Sequence, residues 1–375
     1  MNKITLVSLL SGIGLLLSQN MTFAGVSFPL TGGIQFVPNQ VLVKFKPGMA
    51  VSGAQFATNY GAQAMQAVGN KPDILLATLS PGQTVAQAVR TYKNDPNVAY
   101  AQPNYIYHSA AVPSDPQYGQ QWAAKNNGQS VNSVIQGEGW IYPTDNPGTA
   151  GDDMNLESAW NVQTDCSTVV IAVVDSGINY NSTDLAANMW MGNAKHGQNF
   201  AADVATGAGS DPMDLAGHGT HVAGIIGAVG GNSIAGVGVC WKANLMAVRV
   251  LDATGTGSSA SIISGIAYAV ANGAKIINMS LAGTTAFDQA YSDAITSAQA
   301  SNVLVVVAAG NDGLTTPNND ITPHWPCNFI QTNLLCVAAL DQSYTLANFS
   351  DWGATSVDVG APGTNILSLF QILNG

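Results

Sequence analysis

Apolar side chains follow two rhythms along this chain, and the change of rhythm marks where its elements lie. Residues 169–174, 245–251, 275–281, 303–308 and 334–339 are predominantly apolar runs rich in β-branched side chains. Runs of this length fit parallel strands buried on both faces. Between them the period lengthens: Ile262, Ile263, Ile266, Ala267 and Val270, then Phe287, Ala290, Tyr291, Ala294, Ile295 and Ala298, recur at helical spacing. Strand and helix alternating in this way predict an α/β body with a doubly wound parallel sheet. Ligands of such sheets gather at the carboxyl ends of strands, and Asp175, Ser280 and Asn311 each sit just past one. The N-terminal third reads differently. A strand at 41–45, a helix at 51–60, a strand at 74–79, a helix at 85–94 and a strand at 98–100 predict a small α+β, ferredoxin-like unit with helices on one face of an antiparallel sheet. Residues 108–116, with Pro113 and Pro116, read as an extended linker between the two bodies.

Ahead of both, Lys3 precedes an apolar run from Ile4 to Leu17 and the small-residue site Thr22-Phe23-Ala24, the pattern of a cleaved secretory signal at 1–24. No later stretch reaches 18 uninterrupted apolar residues, so the expected product is secreted to the extracellular space with no membrane anchor. Export puts Cys166, Cys240, Cys327 and Cys336 in an oxidising compartment, where an even count points to disulfides. Three pairings are possible. The spacing is not that of a zinc site, and Cys327 and Cys336 lie close enough to staple one loop.

Composition narrows the partners. Only 9% of residues are charged and the net charge is −11, which leaves no basic face for nucleic acid or an acidic membrane. The acidic residues are almost all Asp, with Glu138 and Glu157 the two exceptions, a skew that suits acidic loops and a hard cation such as calcium.

The candidate chemistry begins at Asp175 and His218. A serine hydrolase needs an imidazole to take the hydroxyl proton, a carboxylate to fix the imidazole tautomer, and donors for the developing oxyanion. Asp175 ends a buried strand, where its charge needs a partner, and His218 opens a glycine- and alanine-rich helix. Alone, His218-x-x-His221 also fits two metal ligands on one helical face, but no Glu lies between them to act as a metalloprotease base.

Larger blocks decide between these readings. Val-Val-Asp175-Ser-Gly-Ile, Gly-His218-Gly-Thr-His-Val-Ala-Gly, Asn278-Met-Ser280-Leu, Ala-Ala-Gly310-Asn311-Asp-Gly, and Phe349-Ser350-Asp-Trp-Gly followed by Gly360-Ala-Pro362-Gly363-Thr stand in this order over residues 115–375. They resemble the serial motifs of the subtilisin-like serine proteases, the subtilases, in which Asp precedes His and His precedes Ser. The resemblance implies that Asp175 orients, that His218 is the general base, that His221 is structural and that Asn311 is the side-chain oxyanion donor. It also implies that Gly255, Thr256 and Gly257, with Ser280, Leu281, Ala282 and Gly283, hold an extended protein or peptide substrate between them as added strands. Ala282 stands where the family has glycine, which narrows the pocket for the residue before the cut.

Asp184 and Asn232 resemble ligands of the family's strong calcium site, with Asp115 able to supply a third oxygen. The same alignment pairs Cys166 with Cys240 and leaves Cys327 for Cys336. Residues 41–45 and 98–105 resemble the opening and closing strands of the subtilase propeptide, a chaperone and inhibitor. The domains implied are thus a signal at 1–24, a propeptide at 25–112 and a catalytic domain at 113–375. Self-cleavage is expected around His108 to Val112, and the mature protein is expected to be a monomer.

One departure qualifies the resemblance. The family's nucleophile lies in Gly-Thr-Ser-Met-Ala downstream of Ala-Pro-Gly; here Ala361-Pro362-Gly363 is present and Gly375 is the last residue, so the serine is expected about two residues further on. Ser176 is tied beside Asp175, Ser280 belongs to a substrate segment, and Ser350 and Ser368 lack the strand-turn-helix setting of a nucleophile. Residues 1–375 alone are therefore expected to form no acyl-enzyme. The expected function is that of a secreted subtilisin-type endopeptidase, incomplete as given. The alternative is a secreted peptide-binding or calcium-binding pseudo-protease, a role that needs none of Asp175, His218 and Asn311.

Overall fold

A computed structural model describes residues 21–23, 26–28, 36–49, 53–69, 71–106, 111–130, 147–192, 195–202, 210–283, 286–313 and 318–370 of the chain. Most of the expected signal segment, residues 108–110 of the expected linker and residues 371–375 lie outside these. The chain divides into two compact units, residues 31–109 and residues 1–30 with 110–375. Within the latter, β1 (Met21–Phe23) and β2 (Val26–Phe28) form an antiparallel ribbon.

The smaller unit runs β3 (Phe36–Phe45), α1 (Gly53–Tyr60), β4 (Ala62–Val68), β5 (Lys71–Leu79), α2 (Val85–Lys93) and β6 (Val98–Tyr105). Its four strands are antiparallel in the order β4-β5-β3-β6, the ferredoxin-like arrangement expected. Strand periodicity buries Val41, Val43 and Phe45 of β3 on one face, where they meet Phe56 of α1 and Val85, Ala88, Val89 and Tyr92 of α2. Thr84 and Gln87 form a capping box that starts α2. The sequence reading missed β4. Its residues Ala-Gln-Ala-Met-Gln-Ala-Val are good helix formers on an exposed edge, so β5 pairing rather than local preference makes it a strand.

In the larger unit a seven-stranded parallel sheet has the order β13-β12-β11-β10-β7-β9-β8. Its strands are β7 (Ile171–Asp175), β8 (Gly197–Asn199), β9 (Leu245–Arg249), β10 (Ile276–Met279), β11 (Leu304–Ala308), β12 (Leu334–Leu340) and β13 (Val359–Pro362). Among the described residues four α-helices accompany them: α3 (Leu156–Trp160), α4 (His218–Gly227), α5 (Ser259–Ala271) and α6 (Gln289–Ala300). The continuous apolar runs follow from covering both faces of this sheet. Ala172, Val174, Met246 and Val248 join the core shared with α5 and α6. Ile171, Val173, Leu245 and Ala247 join the core shared with α4. The strand order turns at β7, which has β9 on one side and β10 on the other, making the end of β7 the topological switch point. The edge strands β8 and β13 are short and carry glycine, asparagine or proline, so no apolar run announced them.

Disulfides join Cys166 to Cys240 and Cys327 to Cys336. Both are the pairs implied by the subtilase resemblance.

Loop order in this unit depends on carboxylates. Asp320 accepts bonds from the hydroxyls of Thr355 and Ser356 and from the amides of Ala354, Thr355 and Ser356. These donors, the Ser356 hydroxyl first, hold its carboxyl at about 2, below its ordinary 3.8. A lowered carboxylate pKa contributes stability above the unfolded value, and that contribution is lost as pH falls through the folded value. The amide resonances of residues 354–356 are therefore expected to titrate with a midpoint near 2. Asp320→Asn should abolish that transition; a midpoint at the free-carboxylate value in the parent would remove this role from Asp320.

Candidate active site

The switch point of the sheet is built around Asp175. It is fully buried at the end of β7, and its Oδ1 accepts the Ser176 amide at 2.7 Å. The same oxygen receives His218 Nδ1 at 2.8 Å. His218 is the first residue of α4, its side chain 53% exposed while that of Asp175 is fully buried. A ring with Nδ1–H donated to a buried carboxylate presents Nε2 outward as the basic nitrogen.

Two local devices allow this approach. A Cβ at position 219 would lie 2.1 Å from Gly177 O and 3.2 Å from Asp175 Cβ, so only glycine lets the start of α4 close on the end of β7. The second device is Asp214, whose role the sequence reading missed. Its carboxylate is fully buried and accepts from Ser176 Oγ, the amides of Ala216, Gly217 and Thr220, and Thr220 Oγ1. Ser176 Oγ in turn accepts the Gly219 amide. Asp214 thus caps the helix carrying His218 and ties that helix to the residue after Asp175. The signal was present in an Asp three residues before a glycine at a helix start.

His221 lies one turn along α4 and faces a backbone carbonyl. Its Nε2 bonds to the Ile366 carbonyl at 3.1 Å, and burial holds its pKa below the ordinary value. Among the described residues, one cluster of three His, Cys, Asp or Glu side chains has metal-ligand spacing: Asp312, His324 and Asp351.

The expected substrate strips emerge on either side of β7. Residues 255–257 follow β9, in a loop held by the Asp252 amide on Thr256 O and by Asp252 Oδ1, which accepts from Thr254 and Thr256. Residues 280–283 follow β10, where Ser280 Oγ accepts from Asn278 and the Gly283 amide bonds to Trp325 O. Gly255, Thr256, Gly257, Ala282 and Gly283 are exposed. Asn311 is also exposed and follows β11, two strands from β7 in the sheet, about 10 Å at ordinary strand spacing.

The four serines weighed as substitute nucleophiles all have other hydrogen bonds. Ser176 serves Asp214, Ser280 accepts from Asn278, Ser350 Oγ accepts the Ala339 amide, and Ser368 Oγ donates to His221 O.

Away from this edge, Asp115 and Asp184 are 4% and 2% exposed. Gly231 N donates to Asp115 Oδ2 and Asn232 Nδ2 to Asp184 Oδ1. The other oxygens, Asp115 Oδ1 and Asp184 Oδ2, are buried without a hydrogen-bond partner. Burial first, and then the neighbouring Asp115 charge, push the Asp184 carboxyl up, while Asn232 opposes them. Orphaned carboxylate oxygens of this kind suit a hard cation, so the residues fit calcium.

Residues 167–374 match the model of the subtilase family, and residues 26–104 match that of the fervidolysin N-terminal prodomain. A thermophilic serine proteinase of Bacillus sp. strain AK1 is 33% identical over 337 residues, covering 89% of this chain and 71% of that protein. Thermitase of Thermoactinomyces vulgaris is 38% identical over 212 residues, covering 56% of this chain and 68% of its own. A solved protease from Pseudoalteromonas arctica superposes with a TM-score of 0.53 at 29% identity, over 68% of this chain and 73% of that one. The chain belongs to the subtilase family of serine peptidases, and its N-terminal unit is of the prodomain type that accompanies some of them.

Proposed function

We propose that residues 113–375 belong to the catalytic domain of a secreted serine endopeptidase, preceded by a signal peptide at 1–24 and a propeptide at 25–112. The observation that carries this reading is the 2.8 Å bond between buried Asp175 and half-exposed His218 at the switch point of the sheet. In the mechanism, Asp175 holds the His218 tautomer with Nδ1–H toward itself and stabilises the imidazolium. His218 Nε2 takes the proton of a serine hydroxyl as it attacks the scissile carbonyl, and returns it to the leaving amine. Asn311 donates its carboxamide to the oxyanion, and residues 255–257 and 280–283 align the substrate between them as an extended strand.

The test is turnover of an unfolded protein by the natural full-length polypeptide, blocked by a serine-reactive fluorophosphonate. Asn311→Ala should then lower kcat by about 10² to 10³ with little change in KM, the range measured for the oxyanion asparagine of subtilisin itself. Peptide binding with no turnover and no labelling would instead support the pseudo-protease.

Calcium belongs to the same reading as a structural ion: bound near Asp115, Asp184 and Asn232, it would neutralise two paired carboxylates. At saturating calcium, adding a chelator is expected to lower the Tm by roughly 5 °C or more. Asp184→Ala should lose that response; an unchanged calcium-dependent shift in the variant would move the ion elsewhere.

A further inference from the structure

The cluster of Asp312, His324 and Asp351 takes no part in the chemistry above, yet its members enclose the turn that carries Asn311. Asp351 is fully buried and reaches that turn from both sides of Asn311: its amide donates to Gly310 O at 3.0 Å, and its Oδ1 accepts the Asp312 amide at 2.9 Å. Its other oxygen, Oδ2, accepts from His324 Nδ1 at 2.7 Å. His324 is 4% exposed, and its Nε2 lies 3.5 Å from Asp312 Oδ2, so the ring is wedged between two carboxylates. The fit leaves no room for a side chain at 310: with φ at +121°, a Cβ there would sit 2.2 Å from Asp351 Oδ2 and 3.2 Å from His324 Nδ1. His324 is itself anchored, its amide donating to Asn328 Oδ1 at 2.8 Å.

We propose that His324 is a positioning residue for Asn311: clamped between Asp351 and Asp312, it fixes the Gly310–Asp312 turn and thereby aims the Asn311 carboxamide. This inference rests on the reading of Asn311 as the oxyanion donor. An oxyanion donor acts by being oriented before charge develops, so freedom in its turn weakens transition-state binding more than substrate binding. A metal ion is the other use of such a cluster. Both oxygens of Asp351 and both ring nitrogens of His324 already face protein partners, so a cation would have to displace those contacts to bind there.

The test uses the natural full-length protein with His324→Ala and His324→Asn. The alanine variant is expected to lose about tenfold in kcat with KM within about twofold, a fraction of the loss on deleting the donor itself. His324→Asn, whose carboxamide can donate to Asp351 in place of Nδ1, should restore most of that loss. Exchange of the Asp312 amide proton should quicken at least about tenfold in His324→Ala and less in His324→Asn. If His324→Ala does not fold, exposed Asp312→Ala cuts the outer arm of the clamp and is read in the same two ways. An alanine variant with wild-type kcat and unchanged exchange would overturn the proposal, as would one zinc ion per chain that binds the parent and is lost with His324. Failure of the oxyanion reading is separable: Asn311→Ala would then keep full kcat, and the exchange rates would decide the clamp by themselves.

Discussion

Replacing His218 by Ala is expected to abolish turnover of protein substrates by the natural full-length polypeptide, and with it the separation of the N-terminal unit. The scale is on the order of 10⁶ in kcat, the magnitude measured on subtilisin itself when its base is removed. The size follows from the geometry. Asp175 is fully buried and its Oδ1 is committed to His218 and the Ser176 amide, so it has no path to a substrate proton of its own. Asp175→Asn should cost less, about 10⁴, because the ring survives in the wrong tautomer. The fold should tolerate His218→Ala: the side chain is half exposed, and the start of α4 is held by Asp214 rather than by the histidine. Circular dichroism and thermal melting establish that the variant is folded; peptide cleavage at the parent rate, or normal maturation, would refute the assignment of His218 as base.

The second large effect concerns stability. Cys166→Ser with Cys240→Ser opens a loop of 74 residues, for which the chain-entropy relation gives about 4.5 kcal/mol. Cys327→Ser with Cys336→Ser opens one of 9 residues, worth about 2.5 kcal/mol on the same relation. The first bond also sits where two neighbouring strands begin. The Cys166 amide donates to Lys242 O, and Asp165 bridges to Lys242, so the linkage pins β7 against β9 just before both enter the sheet. Urea unfolding under non-reducing conditions measures both losses. A larger loss for the short loop would show that native-state contacts, not chain entropy, set the values.

Strands buried on both faces were legible because most positions along them are apolar, without exception in Val169 to Val174. Asp175, His218 and Asn311 stood out in the sequence because each lies inside a motif block that resembles those of the subtilases, and it is that resemblance, not periodicity, that implies their roles. What escaped the sequence depends on partners far along the chain. Ala62 to Val68 becomes a strand by pairing with β5, and Asp214 becomes a helix cap by meeting Ser176, which lies 38 positions earlier. Asp351 and His324 are 27 positions apart on irregular segments, and no periodicity brings them together.

The register of the larger sheet also governs how this chain reaches its native state. Ile171 pairs with Leu245 on one side and with Ile276 on the other, so β7 can complete neither ladder until long intervening segments have been made and ordered. Loop-closure entropy must be met before such pairings return any stabilisation, which makes parallel sheets of this kind slow to nucleate. On a ribosome the four-stranded unit emerges complete while β7 is still without a partner. The strand that ends in Asp175 therefore spends the longest interval with its apolar faces uncovered, and the chain is most vulnerable to aggregation just before its candidate active site can form.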